Sequence, residues 1–235
     1  MRNSFIFNGH DSRDYGIWIS GNGTYNAPTR EYENISIPGR DGDLLGISTR
    51  LANVPLVYKC GIVENFDANL AAFRTMLLST IGYARLTDTY HTDEYRMAVY
   101  KGGLEPDMVR SLIAGEFELE FECKPQRYLI NGEIAVAVAN GGSVSNLTSF
   151  TARPLIRTVG SGTLTVGDTV ITIAANNKSY IDIDSEMMDC YSGSDNCNSL
   201  VSFSTNDFPV LPAGTTGVAY TGLTSVKITP RWWRV

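Results

Sequence analysis

From Glu116 to Cys123 the chain alternates without a break: Glu116, Glu118, Glu120 and Glu122 take one parity, and Phe117, Leu119, Phe121 and Cys123 take the other. A helix would scatter both sets around its circumference, whereas a strand sends successive side chains to opposite faces. The segment is therefore a half-buried strand, one face in a core and the other a row of carboxylates about 6.6 Å apart, from a rise of about 3.3 Å per residue. That row reads as a solvated or arginine-paired sheet face. A cation site or the acid pair of a glycosidase is the sharper alternative, and no second motif supports either.

Other segments of the first half carry the same texture. Tyr15 to Ile19 is strand-like and ends at Gly21-Asn22-Gly23, residues that tolerate positive φ. Ile35 to Ile37 reads as a strand that stops at Pro38-Gly39-Arg40-Asp41-Gly42, and Val54 to Val63 as another. Then the period changes: Leu70, Phe73, Met76 and Leu77 recur at helical spacing behind a capping Asp67, with Gly82 as the stop. Ala84 to Thr87 and Arg96 to Tyr100 return to strand, and Pro125 is expected to end the alternating strand.

After Tyr128 the composition shifts. Charges thin out, helical periodicity vanishes, and short β runs at Thr163 to Val166, Thr169 to Ile173, Tyr180 to Ile183, Leu200 to Phe203 and Val226 to Ile228 are divided by glycine and proline. Their spacing suits an antiparallel sandwich. The expectation is a mainly β protein of two domains, residues 1–128 with one helix and residues 129–235 as a β-sandwich.

At 235 residues such a chain buries enough surface to fold without staples. A net charge of −6 gives no electrostatic reason to bind nucleic acid or an anionic membrane. No apolar run reaches the length of a membrane span, and Met1 to Phe5 lacks a signal peptide's apolar region, so cytoplasmic synthesis is expected. Cys60 and Cys123 sit in apolar strands, as packing residues. Cys190 and Cys197 flank a polar six-residue loop; thiols are favoured by cytosolic synthesis, with a disulfide as the alternative. Without a C-x-x-C pair, and with only His10 and His91, a metal site is not expected.

Catalytic patterns are equally thin. His10, Asp11 and Ser12 are adjacent, so on an extended segment they point to opposite faces and form no triad; a turn fits them better. There is no G-x-S-x-G elbow and no Gly-Lys pair for a phosphate loop. Trp232 and Trp233 could offer a sugar platform, but neighbouring strand residues diverge, so one closing the sandwich and the other covering a surface, with arginine stacked on indole, is preferred. The polar stretch from Asp189 to Asn198 lacks the alternate spacing and terminal Glu of a calcium loop. No enzyme, cofactor or metal is expected.

The ordered set of short signatures says more. The opening Phe5-Ile6-Phe7-Asn8-Gly9-His10-Asp11-Ser12-Arg13-Asp14-Tyr15-Gly16-Ile17 is followed by Ile37-Pro38-Gly39-Arg40-Asp41-Gly42 and Phe121-Glu122-Cys123-Lys124-Pro125. Arg153-Pro154-Leu155-Ile156, Gly160-Ser161-Gly162, Ile183-Asp184-Ser185-Glu186, Asp207-Phe208-Pro209-Val210-Leu211 and Ile228-Thr229-Pro230-Arg231-Trp232-Trp233 complete it. In that order, and across nearly the whole chain, they resemble the distal tail (Dit) proteins of long-tailed, non-contractile bacteriophages. The resemblance implies a tail-tip hub: an N-terminal domain assembling as a homohexameric ring that continues the tail tube, and a C-terminal galectin-like sandwich projecting outward. The implied partners are the chain itself, the tail-tube protein, the tail-tip or tail-associated lysin protein, and receptor-binding proteins at the side. Ring contacts then fall in the N-terminal half, where Arg30, Arg40 and Arg50 are candidates to answer the Glu116, Glu118, Glu120 and Glu122 row of a neighbour. The other reading kept open is a carbohydrate-binding or adhesion module built on the sandwich.

Overall fold

The computed structural model describes the chain apart from residues 1, 22, 24, 63, 110–113 and 206. It separates into two compact units, residues 1–127 with Val235, and residues 128–234. The first unit holds β1 (Phe5–Phe7), β2 (His10–Asp11), β3 (Ile17–Ser20), β4 (Arg30–Ile35), β5 (Leu44–Leu51), β6 (Val54–Ile62), α1 (Phe66–Ser79), β7 (Ala84–Asp88), β8 (Glu94–Val99), β9 (Asp107–Val109) and most of β10 (Ala114–Leu129). The second holds β11 (Val136–Ala137), β12 (Gly142–Asn146), β13 (Leu155–Val166), β14 (Thr169–Ile173), β15 (Ile181–Asp184), β16 (Asp189–Ser192), β17 (Asp195–Asn196), β18 (Val201–Phe203), β19 (Gly214–Thr229) and β20 (Trp233–Arg234). Mainly β, as the alternation requires, it has one α-helix among the described residues.

In the first unit the strands run β2-β1-β7-β8-β10-β6-β3. Phe5 on β1 stacks on Tyr58 of β6 at 5.3 Å although three strands separate them along the sheet, so the sheet curls until its distant strands meet across the core. A bridge between Asn3 and Ile19, with the Ile19 N–H donating to the Asn3 carbonyl at 2.9 Å, links the two ends of the curl. Phe7 and Phe121 pack at 4.8 Å, and Leu70, Phe73, Met76 and Leu77 of α1 are buried in the same core. Asp67 is not the cap: Asn65, in the left-handed region at φ 48°, precedes the helix without a side-chain capping bond. Tertiary packing fixes the start instead, because a side chain at Gly115 would meet the Phe66 ring at 2.1 Å, and only glycine lets α1 sit there.

The opening signature is a folded device. Asn8 (φ 50°) and Gly9 (φ 81°) turn β1 into β2. Asp11 then accepts the Arg13 N–H, starting a 3-10 turn over Ser12–Tyr15, so Tyr15 belongs to this turn and the strand starts at Ile17. The buried Ser12 hydroxyl donates to the Ile17 carbonyl and accepts from the Phe5 N–H, tying the turn between two strands.

Pro125 does not end the strand: β10 runs on to Leu129. Its pairing with β6 stops at Cys123 opposite Val54, so the missing proline N–H breaks no bond of that ladder. Asn22, expected in a turn, and Val63, expected in a strand, lie outside the described residues.

The second unit is built on two long bent strands. The first part of β13 pairs with β15 and with the end of β19, while its second part pairs with β14 and with the middle of β19. Register shifts at Val159/Gly160 and Gly160/Thr163 mark the bend. A side chain at Gly162 would lie 2.0 Å from the Thr221 carbonyl oxygen, and one at Gly222 2.5 Å from that of Ser161. Glycine is therefore what allows the two strands to approach and turn together, wrapping both halves of the sheet around one core that includes Ile156, Leu164, Ile171, Ile183 and Ile228. Trp233 stacks on Phe150 at 4.4 Å and donates its indole N–H to the Thr151 carbonyl at 3.0 Å. Arg231 does not stack on indole. It turns, at φ 57°, to make paired bonds of 2.6 and 2.7 Å with the buried Asp184.

Candidate assembly interface

The turn at Pro38 to Gly42 closes a two-stranded hairpin, β4 with β5, that belongs to neither large sheet. Gly39 (φ 80°) and Gly42 (φ 76°) supply the positive φ values, and the Arg40 N–H donates to Ile37 at 3.2 Å. Every residue of β4 is exposed. Ile35 faces Leu44 on one side of the ribbon, and Tyr32 lies diagonal to Leu45 on the other, so both faces are apolar in part. Tyr32 and Leu45 expose 56% and 60% of their surface and Ile35 and Leu44 are exposed beside them, so what marks the hairpin is the grouping of apolar side chains on one element. An isolated hairpin is marginal in water and gains from a partner that covers it.

The three candidate arginines all lie on this hairpin, but they do not converge. Arg30 opens β4, Arg50 near the end of β5 pairs with Glu31 of the same hairpin, and Arg40 stands exposed at the turn. The carboxylate row is where the alternation puts it, on one face of β10 with Phe117, Leu119, Phe121 and Cys123 buried behind. Glu116, Glu118 and Glu120 are exposed; Glu118 stands opposite Lys59 of β6, and Glu120 opposite Val57. Glu122 is engaged within its own chain, paired with Lys101 and accepting from Asn53 at 2.5 Å. The Lys101 bond, then that from Asn53, holds its carboxyl below the ordinary range.

Sequence reasoning missed β5 and the apolar hairpin faces. The signal was present, since Asp41-Gly42 between two β-forming runs is a hairpin mark. It also missed a buried polar cluster in the first unit: Tyr58 donates to Asp88 at 2.6 Å and Arg127 to Glu94 at 3.1 Å. The cavity bounded by Tyr58, Asp88, His91, Glu94 and Arg96 is about 10 Å³, room for one water and not for a substrate. Ser12, buried with its hydroxyl engaged on both sides, is structural.

Residues 10–123 match the family model of the phage tail protein RIFT-related domain. Residues 10–123, just under half of the chain, therefore carry a phage tail protein domain. The Dit (gp 19.1) protein of phage SPP1, described as a hub of the adsorption apparatus in phages infecting Gram-positive bacteria, superposes with a TM-score of 0.80 at 14% identity, over 100% of both chains. Two structures of the phage p2 baseplate in its activated conformation also match. The one with Ca has a TM-score of 0.59 at 10% identity over 97% of each chain; the one with Sr has 0.56 at 10% identity over 100% of this chain and 98% of that one. At such identities the likeness is one of fold, and the fold of this chain is that of Dit, as the ordered signatures implied. None of the curated protein sequences matches the chain.

Proposed function

We propose that this tail protein is the structural hub of a phage or prophage tail tip. It assembles as a hexameric ring through residues 1–128 and joins the tail tube to the tail-tip or lysin protein and to receptor-binding proteins. The observation that carries the reading is the SPP1 Dit fold matched end to end, supported by the tail-protein domain in the N-terminal half. A closed ring needs two different patches per subunit meeting head to tail. The exposed β4–β5 hairpin is one patch of the required kind, apolar on both faces and edged with Arg30, Arg40 and Arg50. The exposed face of β10, with Glu116, Glu118 and Glu120, is the second; Glu122 contributes less because Lys101 and Asn53 already hold it. Residues 129–235 form the galectin-like domain of the hub. The role is mechanical and requires no catalysis. Native mass spectrometry tests it: the full chain, alone or with the tail-tube protein of its own phage, should give a species of six times the 25.7 kDa chain mass, and Leu45→Glu should abolish it. A persistent monomer in both settings would remove the proposal.

A further inference from the structure

The β16–β17 hairpin carries a pair of cysteines that the hub reading does not use. Ser192 faces Asp195 and Tyr191 faces Asn196 across it, so the next pair in the same register is Cys190 with Cys197. The Cys197 N–H donates to the Cys190 carbonyl at 2.7 Å, one of the two bonds that a hydrogen-bonded cross-strand pair exchanges, while the Cys190 N–H is taken by the Asn198 side chain. The Cα atoms of such pairs lie about 5.5 Å apart, which is also where disulfide-linked Cα atoms cluster, at about 5.5–6 Å. Directly opposed side chains leave a ribbon on the same face, and here both are fully buried in one core. The register is held from both ends. Gly193, at φ 63°, makes the turn, and Asn198 accepts the Cys190 N–H at 2.7 Å while donating its amide to Asp189 at 2.6 Å. In the structure all four cysteines are thiols.

We propose that Cys190 and Cys197 form a redox clip, two thiols in a reducing cytoplasm and one disulfide in an oxidising medium. With a small disulfide such as oxidised glutathione as the oxidant, one cysteine thiolate attacks it and releases one glutathione thiolate. The other cysteine thiolate then attacks the protein sulfur of the mixed disulfide and releases the second. One S–S bond forms in the protein and one is lost from glutathione. The two thiol protons pass to the two glutathione thiolates, and two electrons reduce the oxidant. Burial makes the step slow: it pushes the Cys190 thiol up to about 12, with Asp189 and Cys197 adding to the shift, so the reaction proceeds when the hairpin opens. Cys60 and Cys123 serve as internal references, because Cys60 stands opposite Phe117 and Cys123 opposite Val54. The clip belongs to the chain itself and does not rest on the hub reading.

Trypsin cleaves after Lys178 and Lys227 with no Lys or Arg between, so the peptide Ser179 to Lys227 contains Cys190 and Cys197 and no other cysteine. Full-length protein, freed of reductant, is incubated with oxidised glutathione, denatured, alkylated and digested. That peptide should carry no alkyl label and be about 2 Da lighter than its dithiol form, regaining two labels after dithiothreitol, while Cys60 and Cys123 stay labelled. Oxidised protein should also melt several degrees higher than reduced protein, a shift that Cys197→Ser removes. Two labels on the peptide after prolonged oxidation, or a stable glutathione adduct on either cysteine, would overturn the clip; both outcomes are read on the wild-type chain.

Discussion

Asp184 and Arg231 close the second unit through a pair of bonds that the backbone is bent to permit. A non-glycine residue at φ 57° persists only where its surroundings enforce it, and here the guanidinium meets a carboxylate that is 1% exposed. Burial works to raise the Asp184 carboxyl, but the Arg231 bonds and the backbone N–H groups of Met187 and Glu186 outweigh it, leaving the group below its ordinary value. A carboxyl depressed in the folded state contributes fully above its unfolded value of about 3.9, and the contribution is lost as pH falls through the folded value. Asp184→Asn should therefore cost about 2 kcal/mol at neutral pH, because it takes the paired charge-assisted bonds from a half-buried guanidinium and leaves it only the longer contact to Glu186 at 3.6 Å. Urea unfolding of wild type and variant should show that gap narrowing below about pH 4. On β10 the exposed Glu118 and Glu120 face solvent and Lys59, so calorimetric titration with calcium or magnesium should give no stoichiometric site, and Glu118→Gln with Glu120→Gln should change nothing in it.

At the scale of elements the bend of β13 and β19 is the feature most exposed to test. Gly162 sits at φ 148° with the Thr221 carbonyl oxygen 2.0 Å from where a side chain would begin, whereas Gly217 on the same long strand as Thr221 has open space around it. Gly162→Ala should lower the melting temperature of the 129–235 region by more than about 10 °C, and Gly217→Ala by no more than a few degrees. Much of this level was legible in the sequence. The inward set Leu70, Phe73, Met76 and Leu77 of α1 and the inward set of β10 are buried as their periods demand. What escaped did so for physical reasons. On β8 the buried parity is Glu94, Arg96 and Ala98 while Tyr95, Met97 and Val99 are less buried, an inversion that arises because Glu94 pairs with a buried Arg127 far along the chain. The helix start depends on a glycine on β10, and strand continuation through Pro125 depends on where β6 ends; neither is local information. The apolar faces of the hairpin were unread because exposure is set by what the chain leaves uncovered. Replacing residues 30–51 with a two-residue turn between Thr29 and Ala52, already joined by a 2.8 Å backbone bond, should preserve the circular dichroism spectrum while removing assembly.

For the whole molecule, separate cores in residues 1–127 and 128–234 lead to the expectation that each half folds by itself. Residues 129–235 expressed alone should give a β-type circular dichroism spectrum and a cooperative melt; an unfolded chain would mean that this half needs the other. The hub reading stands or falls on assembly through the N-terminal half, and electron microscopy of the full protein mixed with its own tail-tube protein tests it most directly. Six-fold rings with a central channel are expected from the full chain and none from residues 129–235. Rings formed by that fragment, or a full chain that stays monomeric beside its tail-tube partner, would contradict it.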